Sequence, residues 1–155
     1  MKKTLIVIVC LVLAAMLAAC SAGTAGGSIE GSLEDIMAKV YEGADTEQPD
    51  VWNIEINDEN KEYYFGTADI EYKEAISSDA MINAVAHSIC LLRLNNANDA
   101  AGVMEKLKAN ANPNKWICVG VEEEDVIVDS VGDLVIFIMA ENAEAYHESF
   151  KALAK

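Results

Sequence analysis

Hydrophobic positions recur with two different periods along the chain, and the changes between them mark out the elements. Leu33, Ile36, Met37, Val40 and Tyr41 fall three and four residues apart, on one face of a helix. Ser32 stands where an N-cap is needed, with Asp35 three residues on, and Gly43 marks the end. From Val51 to Ile56 the period drops to two. Trp52, Ile54 and Ile56 share one face and Asn53 and Glu55 the other, which predicts a half-buried strand. Asn57-Asp58-Glu59-Asn60 reads as a turn. Glu62 to Phe65 is expected to be a short strand closed by Gly66. Asp69 to Ile76 alternates again, with Ile70, Tyr72 and Ile76 toward the core, and Ser77-Ser78-Asp79 is expected to break it.

Ala84 to Leu94 is apolar on both faces, as a central strand is. Asn96 or Asn98 then caps a helix to about Asn110, which buries Ala100, Val103, Met104 and Leu107 before Pro113 stops it. Lys115 to Val121 has no decisive period. Val126 to Asp129 and Leu134 to Ala140 form a hairpin across Ser130-Val131-Gly132-Asp133. A last helix, from Asn142 to about Ala154, turns Ala143, Tyr146, Phe150 and Leu153 inward. The sum is an α+β domain over residues 32–155, an antiparallel sheet packed with about three helices. Its later half runs strand-helix-strand-strand-helix, much of a ferredoxin-like order.

The first nineteen residues follow a different rule. Met1-Lys2-Lys3 is positive, and an apolar run from Thr4 leads to Leu17-Ala18-Ala19-Cys20. The run holds about sixteen apolar or near-apolar residues, short of the roughly twenty that span a bilayer, so a secretory signal is expected here and not an anchor helix. Leu17-Ala18-Ala19-Cys20 resembles the lipobox of bacterial lipoproteins. The resemblance implies a diacylglyceryl thioether on Cys20, cleavage after Ala19, and attachment at the extracytoplasmic face of the cell membrane. Residues 20–31 are then the lipidated cysteine and a small-residue tether.

The domain that follows also resembles an uncharacterised lipoprotein domain common in Gram-positive anaerobes. The features that carry the likeness are Glu62-Tyr63-Tyr64-Phe65-Gly66, Glu74-Ala75-Ile76, Ala86 to Leu94, Gly132 to Phe137 and the closing helix with Phe150. The likeness implies an extracytoplasmic α+β domain and brings no activity with it.

Charge narrows the partners. The chain has 155 residues with 11 basic and 26 acidic side chains, a net of -15. Lys2 and Lys3 belong to the leader, so the remainder carries 9 basic and 26 acidic groups, a net of -17. Such a surface repels nucleic acid and anionic lipid headgroups.

Candidate chemistry is sparse. Cys10 leaves with the leader and Cys20 takes the lipid, so Cys90 and Cys118 remain. Both lie in apolar strings and are expected to be buried thiols, with a Cys90–Cys118 disulfide as the alternative outside the cytoplasm. His87 and Cys90 stand three apart on a strand and face opposite sides, so they share no ion. His87 is expected to pack in a sheet face with one hydrogen bond, and His147 to sit at the edge of a helix stripe. No metal or cofactor is expected. Glu122-Glu123-Glu124-Asp125 lacks the spacing of a calcium loop and reads as a solvated acidic stretch. Trp52, Tyr63, Tyr64 and Phe65 are candidates for a ligand groove. The expected role is an accessory module that binds an envelope protein or a small ligand. The alternative is a small envelope hydrolase or thiol-redox enzyme that uses Cys90 or Cys118.

Overall fold

The computed structural model describes residues 27–154. The expected leader, the expected lipobox and most of the expected tether lie outside them. The chain runs α1 (Leu33–Gly43), β1 (Val51–Glu55), α2 (Lys61–Phe65), β2 (Glu74–Ala80), β3 (His87–Arg93), α3 (Ala100–Asn110), β4 (Val126–Val131), β5 (Leu134–Ala140) and α4 (Ala143–Ala152). One five-stranded sheet has the order β1-β2-β3-β5-β4, antiparallel throughout. Its class is the α+β expected from the sequence, with four helices in place of about three.

Both faces of the sheet are covered, which explains why β3 and β5 read as apolar on both sides. Ile89, Leu91, Ile136 and Ile138 point to one face and pack with Leu33, Ile36 and Val40 of α1 and with Tyr146 and Phe150 of α4. Cys90, Leu92, Val135 and Phe137 point to the other and pack with Val103 and Leu107 of α3, with α2 and with Trp116. The strand order β3-β5-β4 around α3 keeps the ferredoxin-like sequence of elements. However, α3 and α4 lie on opposite faces, so the layers are not those of a two-layer plait.

The helix starts follow local chemistry. The Asp35 backbone N–H donates to Ser32 Oγ at 3.2 Å, a side-chain cap on α1. Asn96 caps a 3-10 turn at Ala97–Asp99 that leads into α3. The β4–β5 hairpin turns at Gly132, whose φ of +60° suits a residue without Cβ.

Four features differ from the sequence reading. Lys61–Phe65 is a helical turn, not a strand, and ends on Gly66 at φ +72°. Among the described residues the aromatic run has no partner strand, and its two inner rings, Tyr64 and Phe65, are both buried. Residues 69–73 are irregular, and β2 begins at Glu74. Ser77-Ser78-Asp79 does not break the strand but forms its middle, with all three side chains buried. β3 begins at His87, three residues later than expected.

Candidate functional site

Toward the last residues of β2 and the first of β3, polar side chains replace apolar ones on both faces of the sheet. On the α3 face stand Ser77, Asp79 and Ser88, buried side by side through the pairing Asp79↔Ser88. Lys115, from the irregular segment after α3, reaches into them. Its ammonium donates to Ser88 Oγ at 2.9 Å and lies 3.9 Å from Asp79 Oδ2. Ser77 Oγ donates to Asp79 and sits 3.4 Å from Ser88 Oγ. Three rings surround the same ammonium, with Tyr63 at 5.0 Å and Tyr64 and Trp116 at 5.2 Å from Nζ. The Lys115 side chain is only 4% exposed, so carboxylate, hydroxyl and aromatic faces replace its water.

On the other face, Tyr41 Oη lies 2.7 Å from His87 Nε2 and 3.1 Å from Ser78 Oγ. The Tyr146 ring meets Tyr41 and His87 edge-on. Burial lowers the His87 pKa to about 4, with the Asp79 charge opposing, so the ring is neutral at pH 7. Burial also pushes the Tyr41 hydroxyl above its usual range. His87 therefore packs in a sheet face with a side-chain hydrogen bond, as the sequence suggested.

Exposed apolar side chains gather around this polar knot. Trp52, Tyr63, Met81, Ile82 and Ile117 are the large hydrophobic residues left exposed among the described residues. Trp52 pairs in register with Asp79, and the Met81 N–H donates to the Asp50 carbonyl beside it. The Ile117 N–H donates to Asn83 O, which sets Ile117 against the β2–β3 loop, and Tyr63 lies over Lys115. All five therefore belong to one end of the sheet.

Beside them is a cleft of about 780 Å³ between the β2–β3 loop (residues 84–86), the segment 119–125 and the start of α4. Its charged lining is Glu47, Glu122, Asp125 and Glu141, with no lysine or arginine, and His87 and Tyr146 also line it. Among the described residues none of the four carboxylates is in an ion pair.

The chain enters the domain at the opposite end. Arg93, at the end of β3, donates to Ile29 O at 3.4 Å and to Gly31 O at 2.9 Å, and its Nε donates to Glu74 Oε1 at 2.8 Å. Asp133 lies 3.7 Å from the same guanidinium. Ile29 is buried among α1 and α4 residues, so residues 29–31 belong to the folded domain. The seven residues of β2 separate this entry from Met81, about 20 Å at the rise of a strand.

The four groove candidates do not line one groove. Trp52 and Tyr63 are exposed and belong to the apolar end. Tyr64 is buried against Lys115, and Phe65 is buried with its ring edge-on to Tyr72. Trp52 was expected toward the core, but it stands on the edge strand β1 and is exposed. Cys90 and Cys118 are both free thiols. Cys90 is fully buried, which pushes its thiol up to about 11. Cys118, expected to be buried, is exposed, with a left-handed φ of +62° in the segment that has no regular period.

On α4, Glu144, His147 and Glu148 bring three ligand atoms within 4.8 Å of one another, the one such group among the described residues. His147 Nε2 lies 2.7 Å from Asp129 Oδ2, Glu144 is 3.6 Å from Nδ1, and Lys151 occupies Glu148. The spacing i, i+3, i+4 was the signal that would have found this group. Nothing local singles out Lys115, because its partners are 27 and 36 residues away in the chain.

No family model matches the chain, and neither a curated protein nor a solved structure matches it. No helix among the described residues is long and apolar enough to cross a membrane.

Proposed function

We propose that this chain is a bacterial lipoprotein, held at the extracytoplasmic face of the cell membrane by acylated Cys20, and that it works as a binding module. The observation that carries the binding reading is the gathering of Trp52, Tyr63, Met81, Ile82 and Ile117 at the end of the sheet away from Gly31. Isolated exposed apolar residues are ordinary, whereas a cluster of them marks a contact surface. With the tether ending before Ile29, on the Arg93 side of the sheet, that surface lies at the end away from the anchor, so a soluble or surface protein is the partner it suits. The enzyme alternative has less support. A thiolate nucleophile needs a lowered pKa, and the Cys90 thiol is buried and shifted the other way.

Site-specific photo-cross-linking in the native envelope tests the reading. A benzophenone side chain at Ile82 should give discrete adducts, and one at exposed Lys73, near the tether, should give none. Equal labelling from both positions, or silence at Ile82, defeats the contact surface. In the same cells an alkyne fatty acid should mark the unaltered chain and not Cys20→Ala. A labelled Cys20→Ala chain defeats the anchor.

A further inference from the structure

We infer that the partner of this surface is a polypeptide segment that sets lysine or arginine side chains beside apolar ones. Its apolar residues lie on Trp52, Met81, Ile82 and Ile117, and its cations enter the cleft next to them. The inference rests on the binding-module reading and supplies the partner's chemistry.

The two halves of the surface share the same loops. In the β2–β3 loop, Met81 and Ile82 are exposed, while Ala84, Val85 and Ala86 line the cleft. In the segment after α3, Ile117 is exposed and bonded to Asn83, while residues 119–122 line the cleft. A ligand seated on the apolar residues is therefore beside the carboxylates.

Charge decides what that ligand is. Glu47, Glu122, Asp125 and Glu141 face a concave space without a counter-charge, and a cleft lined by one sign of charge concentrates the opposite ion. His87 at the cleft wall is neutral at pH 7 and does not oppose a cation. About 780 Å³ accepts one or a few long side chains. A second copy of the chain fits poorly, since the part after the leader carries a net of -17. An anionic lipid or a nucleic acid meets the same repulsion. A basic amphipathic segment satisfies both halves at once.

The test uses the full lipidated chain in neutral phosphatidylcholine nanodiscs, with empty nanodiscs as reference. Binding of a Lys/Leu model peptide and of its Glu/Leu counterpart is measured by calorimetry at low and high salt. The Lys/Leu peptide should bind at least about tenfold more tightly, and salt should weaken it. Combining Glu122→Gln, Asp125→Asn and Glu141→Gln should cost roughly tenfold and flatten the salt dependence. Trp52→Ser with Ile82→Ser, both at exposed positions, should remove binding while circular dichroism stays unchanged. Equal binding of both peptides, or no effect of the carboxylate variants, overturns the cationic partner. If Trp52→Ser with Ile82→Ser still abolishes binding in that case, the contact surface survives and only its charge preference is wrong. No binding of the Lys/Leu peptide also overturns the inference, and cross-linking at Ile82 then decides the surface separately. Spermine that binds as tightly as the peptide would make the ligand a small polycation and not a polypeptide.

Discussion

A polar triplet in a strand is expensive unless every member has a partner, and Ser77-Ser78-Asp79 meets that condition through residues remote in sequence. Lys115 and Ser88 serve one face, and Tyr41 serves the other. This is why local reading takes the triplet for a turn. Serine and aspartate favour turns when only neighbours in the chain are considered, and the donors that overrule them come from α1, β3 and the segment after α3. The same remoteness hides Lys115, which looks like any surface lysine in an irregular stretch. Its removal should be costly. Lys115→Ala leaves the Asp79 carboxylate, 11% exposed, without a counter-charge, and should lower stability by about 3 kcal/mol in urea unfolding. Asp79→Asn should hurt as well, but Lys115→Ala combined with Asp79→Asn should cost clearly less than the two separate losses together. Strict additivity would mean that Lys115 and Asp79 do not act on each other as an ion pair.

α1 and β5 were legible in the sequence and Lys61–Phe65 was not, and the difference follows how much of each element's information is local. α1 carries four buried positions at helical spacing and its own cap, and β5 carries seven buried residues in a row. Both appear with nearly the expected bounds. Lys61–Phe65 has only five residues, too few for a period to show, and it ends where Gly66 meets Asn110, the last residue of α3. Gly66 makes that contact specific. Its φ is +72°, and a Cβ there would lie 1.8 Å from the Asn110 carbonyl oxygen. Gly66→Ala should therefore lose about 2 kcal/mol or more, from left-handed strain together with displacement of the α3 terminus. Gly102, within α3, has nothing within 4 Å of its would-be Cβ, so Gly102→Ala should gain up to about 1 kcal/mol through helix propensity. The same substitution is thus expected to have opposite signs at two positions. Gly66→Ala that left thermal unfolding unchanged or raised it would refute the close approach of Gly66 to the end of α3.

Across the whole molecule, the two ends of the sheet have divided roles. Arg93 secures the incoming chain at one end, and the buried polar knot supports the exposed apolar residues at the other. Acidification links the second end to the surface charge, and two effects oppose each other there. Protonating carboxylates relieves repulsion in a chain with a net charge of -15, which favours the folded state as pH falls toward 4. His87 acts in the other direction. Its ring meets Tyr41 and Tyr146 and lines the cleft of Glu47, Glu122, Asp125 and Glu141, with Asp79 on the neighbouring strand, and in the fold its pKa is about 4 against 6.5 for an unhindered histidine. Between those values the unfolded chain binds the proton and the folded chain does not. The stability that neutral His87 permits is complete above pH 6.5, declines as pH falls and is gone below about 4. The gap corresponds to about 3 kcal/mol. His87→Gln keeps a hydrogen-bonding amide beside Tyr41 and removes the titration, so it separates the two effects. The unfolding free energy of the unaltered chain minus that of His87→Gln should drop steadily between pH 6.5 and 4 and be flat above 7. Parallel curves across that window would show that His87 takes up its proton without leaving its place, and that the distal end tolerates acid as folded.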